Sequence, residues 1–157
     1  MLKKSCLIAS FSLCAAMSFA ADCSFDLKGT DKMTYTDAKG AAVPKIVVPA
    51  SCKTFKINLE HVGKSPITGM GHNVVIAKSS DVAAVAKEWA GSKATGYVKS
   101  GDARVVAYTK MIGGKASGPK ETASLEFPVS KIKTGGYKFF CSFPAHSGRM
   151  SGDLIVQ

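Results

Sequence analysis

The chain has 157 residues, of which 46% are hydrophobic and 20% charged, a length that suits one domain with a real core and leaves no room for a second. Its 21 Lys and Arg against 11 Asp and Glu give a formal net charge of +10. The lysines are scattered and no segment interleaves them with aromatic residues, so nucleic-acid binding is a poor reading.

Lys3 and Lys4 precede an apolar run, "CLIASFSLCAAM", followed by Ser18 and Ala20 at the positions a signal peptidase reads. The run is too short to span a bilayer. Residues 1–20 are therefore expected to be a cleaved signal peptide. A lipoprotein signal is the weaker reading, because Leu13 rather than a small residue precedes Cys14. Removing residues 1–20 from 157 leaves 137, the expected domain at 21–157, and loss of Lys3 and Lys4 takes the charge from +10 to +8. No later stretch is long and apolar enough to cross a membrane, so the expectation is an exported, soluble protein. Its basic surface reads either as a solvated, solubilising one or as one that steers an acidic partner.

Of five cysteines, Cys6 and Cys14 leave with the signal. Cys23 and Cys52 sit at the edges of strand-like segments, and bridging them would staple the N-terminal strand. In an oxidising compartment the odd one, Cys141, needs an explanation.

Further along, "FKINLEHV" puts Phe55, Ile57, Leu59 and His61 on one face and Lys56, Asn58 and Glu60 on the other, the period of a half-buried strand. "HNVVIA" follows as a second short run. "SSDVAAVAKEWAG" breaks the period: Ser80 or Asp81 as N-cap, an apolar stripe of Val82, Val85, Ala86 and Trp89, and Gly91 as a stop predict one helix packed outside the sheets. "ARVVAYT", "SLEFPV", "GYKFFCS" and "GDLIVQ" complete the strands, with "GGKASGPKE" (113–121) as a flexible surface loop. Many short strands with turn signals between them predict an all-β sandwich or barrel.

The densest chemistry lies in "YKFFCSFPAHSGRM", where Cys141, His146 and Met150 are separated by four and three residues. An accidental buried thiol is disfavoured in an exported protein. A thiol nucleophile with a histidine base would need an orienting Asp or Asn and an oxyanion hole, which nothing near the loop clearly supplies. Thiolate, thioether and imidazole together select copper over hard ions. A trigonal copper site needs a second histidine. His61 lies on the apolar face of its strand, where a core histidine with satisfied nitrogens is the plainer reading. His72 opens a strand after the glycine-rich "TGMG", and Gly71 beside it would let a backbone carbonyl approach the metal.

"MGHN" upstream and "FFCSFPAHSGRM" downstream, with "NLEHVGK", "ARVVAYTKMIG" and "FPVSKIKTGGYKFFC", resemble the azurins, bacterial blue-copper proteins of the cupredoxin family. The likeness runs from Cys23 to the C-terminus. It implies a Greek-key β-sandwich with one short external helix and one type 1 copper per chain. Carried over by position, His72, Cys141 and His146 become the strong ligands, Met150 the long axial sulfur, and the Gly71 carbonyl lies opposite it. Cys23 and Cys52 match the family's disulfide. Asn73 matches an asparagine that ties the two ligand-bearing segments together, the N–H of Phe143 is expected to bond the cysteine sulfur, and His61 matches a buried histidine that binds no metal. Where many azurins carry a tryptophan just after "HN", this chain has Val74.

The implied function is that of a periplasmic one-electron shuttle, not an enzyme. Electrons would cross at His146, in an apolar docking patch with Met70, Phe143, Pro144 and Ala145. Transient redox proteins such as a c-type cytochrome or a reductase are the expected partners, an acidic one among the candidates, without membrane insertion. A copper enzyme would need a further site with several histidines, and a copper chaperone would favour exposed methionine clusters or paired thiols.

Overall fold

The computed structural model describes residues 22–157, so the expected signal peptide at 1–20 lies outside the described residues. Among the described residues, nine strands form two mixed sheets. The first joins Ser24–Thr30 (β1), Thr34–Thr36 (β2), Thr54–His61 (β4) and Thr122–Pro128 (β7) in the order β2-β1-β4-β7. The second joins Lys45–Val48 (β3), Val75–Lys78 (β5), Val105–Tyr108 (β6), Tyr137–Phe140 (β8) and Ser151–Val156 (β9) in the order β3-β9-β8-β5-β6. β1 runs parallel to β4 and β3 parallel to β9, and the other pairings are antiparallel. The expected β-sandwich is present.

The period-two reading of β4 holds residue by residue. Phe55, Ile57, Leu59 and His61 are buried, and their neighbours face outward. Phe55 meets Phe127 of β7 at 6.1 Å between ring centroids, and Ile46, Phe139 and Leu154 of the facing sheet close the same core. Cys23 and Cys52 form a disulfide across 29 residues, tying the start of β1 to the approach to β4. Closing a loop of that length contributes about 2–4 kcal/mol in the chain-entropy account.

The predicted helix is Val82–Trp89 (α2), ending on Ala90 rather than running to Gly91. Asp81 occupies the N-cap position, but its side chain makes no capping bond, so packing rather than capping fixes the helix. Val85 and Trp89 are buried in a second cluster with Val75, Ala77 and Phe140, on the outer face of the five-stranded sheet. This explains the run of buried residues Val75–Ala77 in β5, both of whose faces are covered. Trp89 is fully buried, stands edge-on to Tyr108 at 5.6 Å, and donates its indole N–H to Asp102 at 3.1 Å. Arg104 grips Asp102 and also bonds Glu88 of α2, which fastens the helix to the start of β6.

Two features lie beyond the sequence expectation. A one-turn helix, Ile67–Met70 (α1), precedes Gly71, and β2 and β3 add short strands at the edges of the two sheets. The 113–121 loop is anchored at its base. Gly113 donates to Glu121, Glu121 pairs with Lys115 at 3.7 Å, and a side chain on Gly114 would collide with the backbone of Gly63 and Ser65 at 2.7 Å.

Candidate metal centre

β8 and β9 are antiparallel neighbours, and the segment 141–150 is the loop that joins them. The N–H of Cys141 bonds the carbonyl of Met150 at 3.0 Å, so the first and last residues of the motif face each other across the loop's neck. Inside it, His146 N–H bonds Phe143 O, while Arg149 N–H and Met150 N–H both bond His146 O. Ala145 turns the chain with a left-handed φ of 66°.

His72 comes from elsewhere, at the entrance to β5, where it exchanges two backbone hydrogen bonds with Ile112 at 2.9 Å. Its ring fits because Gly29 of β1 carries no side chain: a Cβ there would lie 2.7 Å from the imidazole. Nε2 donates to the carbonyl of Thr30 at 2.9 Å, which leaves Nδ1 with the lone pair. That Nδ1 is buried and has no hydrogen-bond partner. Burial lowers the His72 pKa to about 4, against the pull of the Thr30 carbonyl, so the ring is neutral at pH 7. A buried, neutral nitrogen with nothing to accept from is what a metal ligand requires.

One donor atom each from His72, Cys141 and His146 lie within 4.8 Å of one another, all three residues buried. Cys141 Sγ is 3.6 Å from His146 Nδ1 and 3.8 Å from the Gly71 carbonyl oxygen. Burial raises the Cys141 thiol to about 11, while the N–H groups of Asn73 and Phe143 act to lower it. The His146 pKa is lowered, chiefly by burial. Met150 is fully buried in the main core.

The surrounding groups hold this arrangement still. Asn73 Nδ2 donates to Ser142 Oγ at 2.8 Å, and Ser142 N–H donates to Asn73 Oδ1 at 2.9 Å. Ser142 Oγ in turn bonds the Tyr97 carbonyl at 2.6 Å, and Tyr35 donates its hydroxyl to the Asn73 carbonyl. His61 stacks on His72 at 4.4 Å with ring planes 9° apart. Its Nε2 donates to Met70 O at 2.8 Å and its Nδ1 accepts from Gly63 N–H at 3.1 Å, so both nitrogens are engaged. It is the satisfied core histidine expected from its strand position.

A model of copper-binding proteins of the plastocyanin/azurin family matches residues 21–157. The chain belongs to that family. It is 45% identical over 150 residues to the azurin of Bordetella pertussis, covering 94% of this chain and 91% of that protein. It is 41% identical over 160 aligned positions to the azurin of Pseudomonas aeruginosa, covering 100% of both. Among solved structures, an azurin (Az-iso2) from the obligate methylotroph Methylomonas sp. strain J superposes with a TM-score of 0.76 at 43% identity, over 87% of this chain and 99% of that one.

Membership of a copper-binding family agrees with the donors present. A thiol sulfur beside two imidazoles is a soft-to-borderline set that suits copper and not Mg or Ca. Gly71 also has a packing reason: a Cβ there would meet the Ile67 carbonyl at 2.8 Å and Met111 Cγ at 2.9 Å, so the glycine makes room for α1 and Met111.

Ser142, Thr30 and Gly29 were not singled out from the sequence. Only Gly29 carried a signal, as a glycine inside a strand, which often marks a close approach. Of the expected docking residues, Met70, Phe143 and Pro144 are half-buried, Ala145 is exposed, and His146 is only 3% exposed. Ile67 of α1, three residues before Met70, is 42% exposed.

Proposed function

We propose that this protein is a one-electron carrier of the bacterial periplasm, working through one type 1 copper that His72, Cys141 and His146 would hold, with the Met150 sulfur and the Gly71 carbonyl as further, weaker donors. The observation that carries the reading is the buried, partnerless Nδ1 of His72 beside the Cys141 sulfur and the His146 ring. Copper bound there supplies exchange of one electron between Cu(II) and Cu(I).

The protein's own residues supply rigidity. His72 is fixed by the Thr30 carbonyl and by the His61 ring, and Asn73 and Ser142 lock the two ligand-bearing segments together. Outer groups of this kind fix ligand orientation, so little rearranges on electron transfer. His146 is the exit, its edge reaching the surface beside Phe143, whose ring lies 4.6 Å away. The half-exposed apolar residues around it suit brief docking of a c-type cytochrome or a reductase.

A carrier is favoured over an enzyme because His61, the third of the chain's three histidines, has both nitrogens engaged and offers nothing to a further copper. Export follows from residues 1–20, with a mature domain at 21–157.

The test is a visible spectrum of the copper-loaded protein with cyclic voltammetry. An intense cysteine-to-copper charge-transfer band and a reversible one-electron wave are expected. In Cys141→Ser the colour should vanish while the fold, by circular dichroism, stays. A serine variant that remains blue overturns the assignment, and rapid loss of copper to chelators would favour a copper-delivery role.

A further inference from the structure

Four of the loop stretches at the ligand end of the sandwich each carry a residue of the site or of its support. They are 30–34 with Thr30, 62–71 with Gly71, 109–113 with Ile112, and 141–150 with Cys141 and His146. Each also holds one cation: Lys32, Lys64, Lys110 and Arg149. Among them they hold one carboxylate, Asp31, which is bound to the backbone N–H groups of Lys64 and Ser65 at 2.7 and 3.3 Å. All four cationic residues are exposed, and among the described residues none of their side chains is in a salt bridge, although Lys110 acts on Glu121 at longer range. The same stretches present the partly exposed Ile67, Met70, Phe143, Pro144 and Ala145.

Arg149 stands apart from the lysines. It lies on the ligand loop itself, between His146 and Met150, and its backbone N–H bonds the His146 carbonyl. Its side chain has no hydrogen-bond partner among the described residues. It borders a hollow of about 180 Å³ shared with Thr34, Pro44 and Ser151, room for a single carboxylate side chain. A guanidinium offers a rigid, two-pronged fork that matches a carboxylate, where a lysine offers only a point charge.

We propose that this end docks a redox protein whose own electron-exit site is bordered by carboxylates, with Arg149 as the cation that grips it and Lys64 in support. The inference rests on the electron-carrier reading and names the chemistry of the partner. Apolar contact brings the two redox centres close, and the cations set orientation and association rate.

The probes are mitochondrial cytochrome c, whose surface is basic, and the same protein with its lysines succinylated, which makes it acidic. Two double variants remove equal charge: Arg149→Gln with Lys64→Gln at the ligand end, and Lys131→Gln with Lys133→Gln on the distant turn after β7. Electron transfer is followed by stopped flow, and binding by chemical-shift titration of the protein with and without copper. At 0.1 M salt, where charge effects reach about 10 Å, the ligand-end variant should lose about threefold in rate and affinity toward the acidic probe. The distant variant should match the parent. Equal losses in both variants, or none in either, would overturn the proposal. If neither cytochrome exchanges electrons with the copper-loaded protein, the carrier reading fails. The titration then still decides whether Arg149 grips an acidic surface.

Discussion

Asn73 and Ser142 hold each other through two reciprocal hydrogen bonds of 2.8 and 2.9 Å, joining the residue after His72 to the residue after Cys141. Both residues are buried, so no water replaces a bond that is lost. Ser142→Ala would strand the Asn73 amide and the Tyr97 carbonyl, which Ser142 also bonds. Leaving a buried donor or acceptor unmade costs about 1–3 kcal/mol. A urea titration of the metal-free variant should show a loss in that range, and one below 0.5 kcal/mol (roughly the level of a surface substitution) would mean the pair is dispensable.

Met150 is expected to tune the metal rather than hold it. It is fully buried, and Met→Leu conserves volume closely enough that the core should absorb it at under about 1.5 kcal/mol. Removing a thioether donor from the axis favours Cu(I). Met150→Leu should therefore keep its copper and its colour and raise the reduction potential by about 59 mV or more, a tenfold change in the one-electron equilibrium. Voltammetry reads this directly. Loss of copper from the leucine variant would contradict the axial role.

Much of this site was legible in the sequence because its chemistry is local. Cys141 and His146 lie on one loop, and His72 follows a glycine-rich turn, so residue type and spacing bring these three together. The supports are long-range, and residue type says little about them. Thr30 acts through a backbone carbonyl 42 positions from His72, and Ser142 through a hydroxyl 69 positions from Asn73. No local pattern encodes either pairing. The β4 alternation was readable because one face is buried and the other wet, whereas β2 and β3 are edge strands of three and four residues, too short for a period to declare itself.

Trp89 illustrates a reading the structure decides. Its place on the apolar stripe of the helix predicts a contact with the sheet, and its complete burial against Phe140 and Tyr108 makes it a core residue. Truncating a buried tryptophan to alanine costs about 3–5 kcal/mol. Trp89→Ala should lower metal-free stability by that much. In Trp89→Phe the six-membered ring stays while the bond to Asp102 and part of the packing are lost, so the cost should be smaller, about 1–3 kcal/mol. Equal losses in the two variants would mean that the hydrogen bond, not the packing, dominates.

The protonation states of the ligands set how copper uptake and metal-free stability depend on pH. His72, with its pKa lowered to about 4, is neutral at pH 7 and already presents its lone pair. Cys141, raised to about 11, is a thiol at the same pH and must give up its proton to bind. Uptake of Cu(II) at pH 7 should therefore release one proton per chain, measurable with a weakly buffered indicator dye. Release of none would mean the thiol is already ionised. The stability of the metal-free protein follows from the same histidine. A folded pKa below the unfolded 6.5 means the unfolded chain binds the extra proton between pH 6.5 and 4, so stability is full above 6.5 and falls as pH drops through that window. The gap corresponds to about 3 kcal/mol at most. Thermal melts of the metal-free protein at pH 7.5 and 4.5 should show the loss, and His72→Gln should remove most of it. If the glutamine variant keeps the full acid sensitivity, another buried group is responsible, with His146, whose pKa is also lowered by burial, the next to replace.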